Sequence, residues 1–231
     1  MRLFKIGLHL LVFIPLFFVS SVLIHEFGHA AAIELFGGKP VVHVWPGVQI
    51  YPNVGQDYSH AYTNDWPNTA IAATFYPPVK TTNIAIKFDN SDFTLLPTLQ
   101  MRNPVGNVFS YRQVGFIMIS GSGLNALVSA FSLLLFYLFA RKPFAYIFFS
   151  YGVFLSYDWI TYVTIPYFFD IPRLIFFGGS YPEPLIGANR FGLSNELTIM
   201  LSMFMFVVII GLWYHKWVLY RRPYDVTASH S

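Results

Sequence analysis

The chain contains no cysteine among its 231 residues. That excludes a disulfide framework, a thiolate metal site and a cysteine nucleophile, so any metal must be held through nitrogen and oxygen. Charge is scarce as well: 11% of residues are charged against 55% hydrophobic, and the net charge of +3 comes from scattered basic residues. Without a dense Lys/Arg block there is no footprint for nucleic acid. Mean hydropathy is positive, outside the usual range of a soluble domain of this length. The sequence therefore reads as a multi-pass integral membrane protein whose first partner is the lipid bilayer, with the cell membrane the expected location. It has no internal repeat, no low-complexity linker and no second globular domain, so residues 1–231 are taken as one membrane-embedded unit.

Four segments are apolar enough to cross a bilayer, which takes roughly 20 helical residues: 6–36, 113–139, 144–169 and 197–219. The first follows "MRLFK", but its apolar stretch from Ile6 to Ile24 exceeds the short core of a signal peptide, so it is expected to be a retained anchor. Residues 37–112 form the sizeable polar region. There "PVVHVWPGVQIY" and "TNIAIKF" are rich in β-branched and aromatic residues and read as strands between Gly, Pro, Asn and Asp turns. Residues 170–196 are too broken by Gly and Pro for a span and suit a re-entrant or surface-lying segment. The expected fold is an all-α polytopic membrane protein of about four transmembrane helices, with a small β-rich insert between the first and second.

The first span ends in "HEFGH". His25 and His29 are four apart, so a helix puts them on one face, where both reach a single ion; Glu26 beside them can take a proton from water. Zinc with three protein ligands and an open position activates water at neutral pH. Ionisable groups within a span cost about 2.5–3.5 kcal/mol each on insertion scales, and a metal offsets that cost for three clustered in one turn.

Two aspartates compete for the third ligand position: Asp158 in "FLSYDWITYV" and Asp170 after "IPYFF". A hydrogen bond to Tyr or Thr on a neighbouring helix is the structural alternative for Asp158. With four alternating spans, the "HEFGH" turn, Asn125 and Asp158 lie about 14, 18 and 16 Å from the same membrane face, whereas Asp170 sits at the boundary; depth favours Asp158. Glu183 in "YPEPL" and Glu196 near a span end lack the helical context of a glutamate ligand. In "ISGSGLNALVSAF", Gly121, Ser122 and Gly123 allow close helix packing, and the Asn125 amide could stabilise a developing oxyanion.

With these motifs in this order, the chain resembles the site-2 protease type of intramembrane zinc metalloproteases: "HEFGH" in the first span, "GSGLNAL" in place of a glycine-proline-x-x-asparagine element, an aspartate in a later span, and "FGGKPVVHVWPGVQIYP" like the strand segment after the first helix. It departs at Ser122, where that family usually has proline, and at Trp159, where glycine usually follows the aspartate. The loops leave no room for a PDZ-like domain, so it would be a minimal member. The resemblance implies one Zn2+ held by His25, His29 and Asp158, Glu26 as general base, Asn125 steadying the substrate backbone, and hydrolysis of peptide bonds in or near the transmembrane segment of membrane-anchored proteins. A helical substrate would have to unwind, and the strand around Val41 to Tyr51 could pair with the extended segment. The alternatives are a catalytically silent metal-binding scaffold, against which the intact Glu26 counts, and an ion transporter, against which the lack of an inverted repeat counts. The basic residues flanking the spans place both termini in the cytoplasm, while the resemblance implies a site nearer the cytosolic side.

Overall fold

The computed structural model describes residues 2–45, 48–55, 71–75, 109–139, 143–171 and 181–228. Among the described residues, six helices and three strands follow one another as α1 (Arg2–Leu35), β1 (Val41–Val44), β2 (Val48–Tyr51), β3 (Ala72–Phe75), α2 (Tyr111–Phe139), α3 (Pro143–Phe154), α4 (Tyr157–Phe169), α5 (Glu183–Asn189) and α6 (Asn195–Ala228). Among the described residues, three helices are long and apolar enough to cross a membrane: Phe13–Leu35 of α1, Tyr111–Phe139 and Asn195–Leu219 of α6. Their exposed side chains, such as Leu127, Phe131, Phe204 and Val207, are what a lipid-facing surface requires.

The expected third span is not one helix. It divides into α3 of 12 residues and α4 of 13, each shorter than the roughly 20 residues a crossing needs. Around Leu155 and Ser156 the backbone tightens into three-residue turns, with Leu155 N–H on the Gly152 carbonyl and Ser156 N–H on that of Val153. The Ser156 hydroxyl donates to the same Val153 carbonyl at 2.9 Å, a local bond by which serine competes with regular helix. Ser129 also donates to it from α2, at 2.6 Å.

α1 stops where its sequence turns to glycine. Gly37 has φ +77°, its N–H bonds to the Glu34 carbonyl, and Gly38 N–H reaches back to Ile33 at 2.8 Å, the pattern of a Schellman cap. The chain then enters an antiparallel sheet of order β2-β1-β3. The strands read from "PVVHVWPGVQIY" are therefore present as β1 and β2, while β3 was not anticipated and "TNIAIKF" lies outside the described residues. Because β1 is central and paired on both sides, the edges among the described strands belong to β2 and β3, so within Val41 to Tyr51 the edge is β2.

Among the described residues, two apolar clusters hold the helices together. Ala32, Ile33, Phe109, Val114 and Ile117 join α1 to α2 at the sheet end, and Leu133, Val153 and Ile209 join α2, α3 and α6 at the other. Between them α1 and α2 approach through glycine: a Cβ on Gly28 would lie 2.2 Å from the Ser120 carbonyl oxygen. α5 is seven residues long, with Pro184, Leu185, Ile186, Gly187 and Ala188 buried. It is an inserted element rather than a surface-lying one. A Cβ on Gly187 would lie 2.6 Å from the Gly115 carbonyl oxygen, so α5 packs backbone to backbone on α2.

Candidate metal centre

His25 and His29 project from one turn of α1 toward α2, α4 and α5. His29 Nδ1 is 2.7 Å from the Ile117 carbonyl oxygen; a carbonyl only accepts, so the proton is on Nδ1. His25 Nδ1–H donates to Asp158 Oδ2 at 3.0 Å, with Ser122 Oγ 3.5 Å from the same nitrogen. In the neutral form of each ring, Nε2 is then the nitrogen without a proton, and it points inward.

Those two Nε2 atoms are 3.0 Å apart. Glu183 Oε2 stands 3.3 Å from the first and 3.2 Å from the second. Three lone pairs thus converge on one point, an arrangement that is repulsive unless a cation is shared among them. His25, His29 and Glu183 are also the cluster among the described residues whose donor atoms could hold a metal ion. Zinc bonds of about 2.0–2.1 Å in a tetrahedron put ligand atoms about 3.3 Å apart, close to the separations seen here. The donor set of two imidazoles and one carboxylate suits zinc in a site with an open position.

The floor of the site is Gly121. A Cβ there would lie 2.5 Å from His29 Nε2 and 2.6 Å from His25 Nε2, so only glycine leaves room for the imidazoles and what they face. Tyr162 stacks on His25 with ring centroids 4.8 Å apart and planes 16° from parallel. Side-chain exposure is 1% for His25 and 0% for Asp158, but 12% for His29 and 28% for Glu183. The centre is closed behind His25 and opens on the Glu183 side.

The remaining candidates occupy distinct places. Glu26 is half-buried and faces the sheet: Thr74 Oγ1 of β3 lies 2.7 Å from Glu26 Oε2 and 3.0 Å from the Glu26 carbonyl oxygen, its hydroxyl donating to them. Asp158, expected as a ligand, contacts His25 on the side away from the cluster of three donors. Asp170 is exposed and caps α4 in the left-handed region at φ 53°, so it does not join the site. Glu196 is exposed in the first turn of α6. Asn125 is fully buried, and its Nδ2 donates to the Ser21 carbonyl of α1 at 3.0 Å, one turn before His25; in this structure the amide braces two helices.

Sequence reasoning passed over Glu183 because seven residues between prolines and glycines carry no readable helical period. The available signal was Pro182 and Pro184 flanking the glutamate ahead of "LIGA", proline being favoured in the first turn of a helix. Thr74 and β3 had no motif to announce them. Comparison of the chain with protein-family models, with curated proteins and with solved structures gives no match.

Proposed function

We propose that the protein is a membrane-embedded zinc metalloprotease that cleaves peptide bonds in or near the transmembrane segment of membrane-anchored proteins. The observation that carries this reading is the convergence of His25 Nε2, His29 Nε2 and Glu183 Oε2 above Gly121, next to a glutamate in sequence that has its own hydrogen-bonding partner in the sheet. In this reading the metal ligands are His25, His29 and Glu183, and Glu183 takes the place that the resemblance gives to Asp158.

When bound, zinc supplies Lewis-acid activation of water and of the scissile carbonyl. The protein's own groups do the rest. Glu26 accepts the proton of the attacking water and returns it to the leaving amine. With Oε2 engaged by the Thr74 hydroxyl, Oε1 is the oxygen that takes the proton. Since the centre is closed behind His25 and open beside Glu183, the substrate enters from the Glu183 side, with its backbone unwound so that the amide is accessible.

The same reading includes four crossings, the third made by α3 and α4 together. What supports it is their antiparallel course along α2: Tyr146 meets Phe136, Gly152 approaches Ser132, Ser129 bonds to Val153, and Trp159 lies within 3.7 Å of the Cβ position of Gly123. A broken helix is tolerated at membrane depth where protein surrounds it, and Leu155 and Ser156 are buried.

The test is zinc content of the purified full-length chain together with cleavage of a single-span model membrane protein, wild type against Glu26→Gln. The expected outcome is about one zinc per chain in both, with kcat lowered about 10²–10⁴-fold in the variant. Equal cleavage by Glu26→Gln would overturn the mechanism, and absence of cleavage by a zinc-loaded wild type would leave a metal-binding scaffold.

A further inference from the structure

We infer that Asp158 is a positioning residue behind the metal centre, which fixes the tautomer and direction of His25 without ligating the metal. The inference rests on the metal reading above. Three observations combine. The first is which ring nitrogen Asp158 meets: its Oδ2 is 3.0 Å from His25 Nδ1, the nitrogen opposite the one that faces His29 and Glu183. An imidazole that donates one N–H to a carboxylate is held in the tautomer whose other nitrogen is a free donor to metal, and it becomes a stronger donor.

The second is the asymmetry of the two histidines. His29 is oriented by a main-chain carbonyl, that of Ile117 at 2.7 Å, which no substitution removes. His25 has at Nδ1 a side-chain carboxylate and, more distantly, Ser122 Oγ at 3.5 Å, and Tyr162 holds its ring face. The orientation of His25 is therefore open to mutation in a way that of His29 is not.

The third is the break in the helix. Asp158 lies in the first turn of α4, which exists because the chain is interrupted at Leu155 and Ser156. The break thus places a wholly buried carboxyl group at the start of α4, within reach of His25 Nδ1.

The experiment measures zinc affinity of the purified full-length protein by competition with a chromophoric chelator, and the visible absorption of its cobalt-substituted form, in four proteins: wild type, Asp158→Asn, Asp158→Ala and Glu183→Gln. Outer partners of metal-bound histidine typically contribute about 10–100-fold in affinity. Asp158→Ala should weaken zinc by about that factor while keeping the wild-type cobalt band pattern. Asp158→Asn, whose side-chain oxygen still accepts from Nδ1–H, should recover part of the loss. Glu183→Gln should alter the cobalt bands, because it changes a ligand. A changed cobalt spectrum in both Asp158 variants, with Glu183→Gln like wild type, would make Asp158 the ligand and overturn the inference; so would zinc affinity within twofold of wild type in Asp158→Ala. A wild-type protein that binds no zinc would instead overturn the metal reading on which the inference rests.

Discussion

The site has two sides built on different principles. On the histidine side, His25, Asp158 and Ser122 are wholly or almost wholly buried, helix backbones touch through Gly28 and Gly121, and the two imidazoles have their orientation imposed from behind. On the sheet side, Glu26 and Thr74 are half-buried and Tyr51 donates to Glu34. On the proposed function, the first side sets the geometry of metal ligands, which tolerates little displacement, and the second holds the proton carrier, Glu26, by one hydroxyl at the rim of a small sheet. On that same proposed function, changes behind the histidines should act on metal retention, and changes in the sheet on turnover.

The sharpest way to break this division is Gly121→Ala. The added methyl would occupy the space in front of both Nε2 atoms, so zinc binding and cleavage should both be lost, while Gly123→Ala, whose nearest neighbour would be 3.7 Å away, should retain both. Elemental analysis beside the cleavage assay checks this. Retention of stoichiometric zinc by Gly121→Ala would show that the three donors do not close on one ion above that residue.

A smaller effect, on turnover alone, is expected on the sheet side. Thr74→Val removes the hydroxyl that holds Glu26 Oε2 and should lower kcat about tenfold, the order of one hydrogen bond to a charged group. Zinc content and KM should stay as in wild type, and Thr74→Ser should restore the rate. Loss of zinc in Thr74→Val would join the two sides into one.

Asn125 sharpens the comparison from the other direction. If its amide is a brace between α1 and α2, Asn125→Ala should lower stability by about 1–3 kcal/mol, the range for losing a buried hydrogen-bond partner, read as a fall in the unfolding midpoint in detergent. The folded variant should keep its zinc affinity. A large loss of kcat with an unchanged midpoint would return Asn125 to the oxyanion role the sequence suggests. The smallest effect belongs to Asp170→Ala, which should leave zinc affinity within twofold, since Asp170 is an exposed cap at the end of α4.

What the sequence determined by itself is local. Four residues separate His25 from His29, and a helix of 3.6 residues per turn puts both on one face whatever surrounds them. Three long apolar runs are membrane helices in length and composition because bilayer thickness sets their number of residues, and alternating β-branched residues after Gly38 make β1 and β2 for equally local reasons. Counting residues along four expected spans also brings His25 and Asp158 to one level, and the two side chains are in contact.

Only the tertiary structure decided which acid faces which nitrogen. Depth places Asp158 beside His25 but does not distinguish Nδ1 from Nε2, and that distinction separates an orienting carboxylate from a ligand. Glu183 lies 158 residues from His25 along the chain on a helix too short to show a period. Its approach depends on Gly187 meeting Gly115 across α5 and α2. Likewise the division of α3 from α4 arises where Ser156 and Ser129 both donate to the Val153 carbonyl, one of them from another helix. Such contacts close over long loops, and their partners are fixed by packing rather than by the spacing of residues in any one segment.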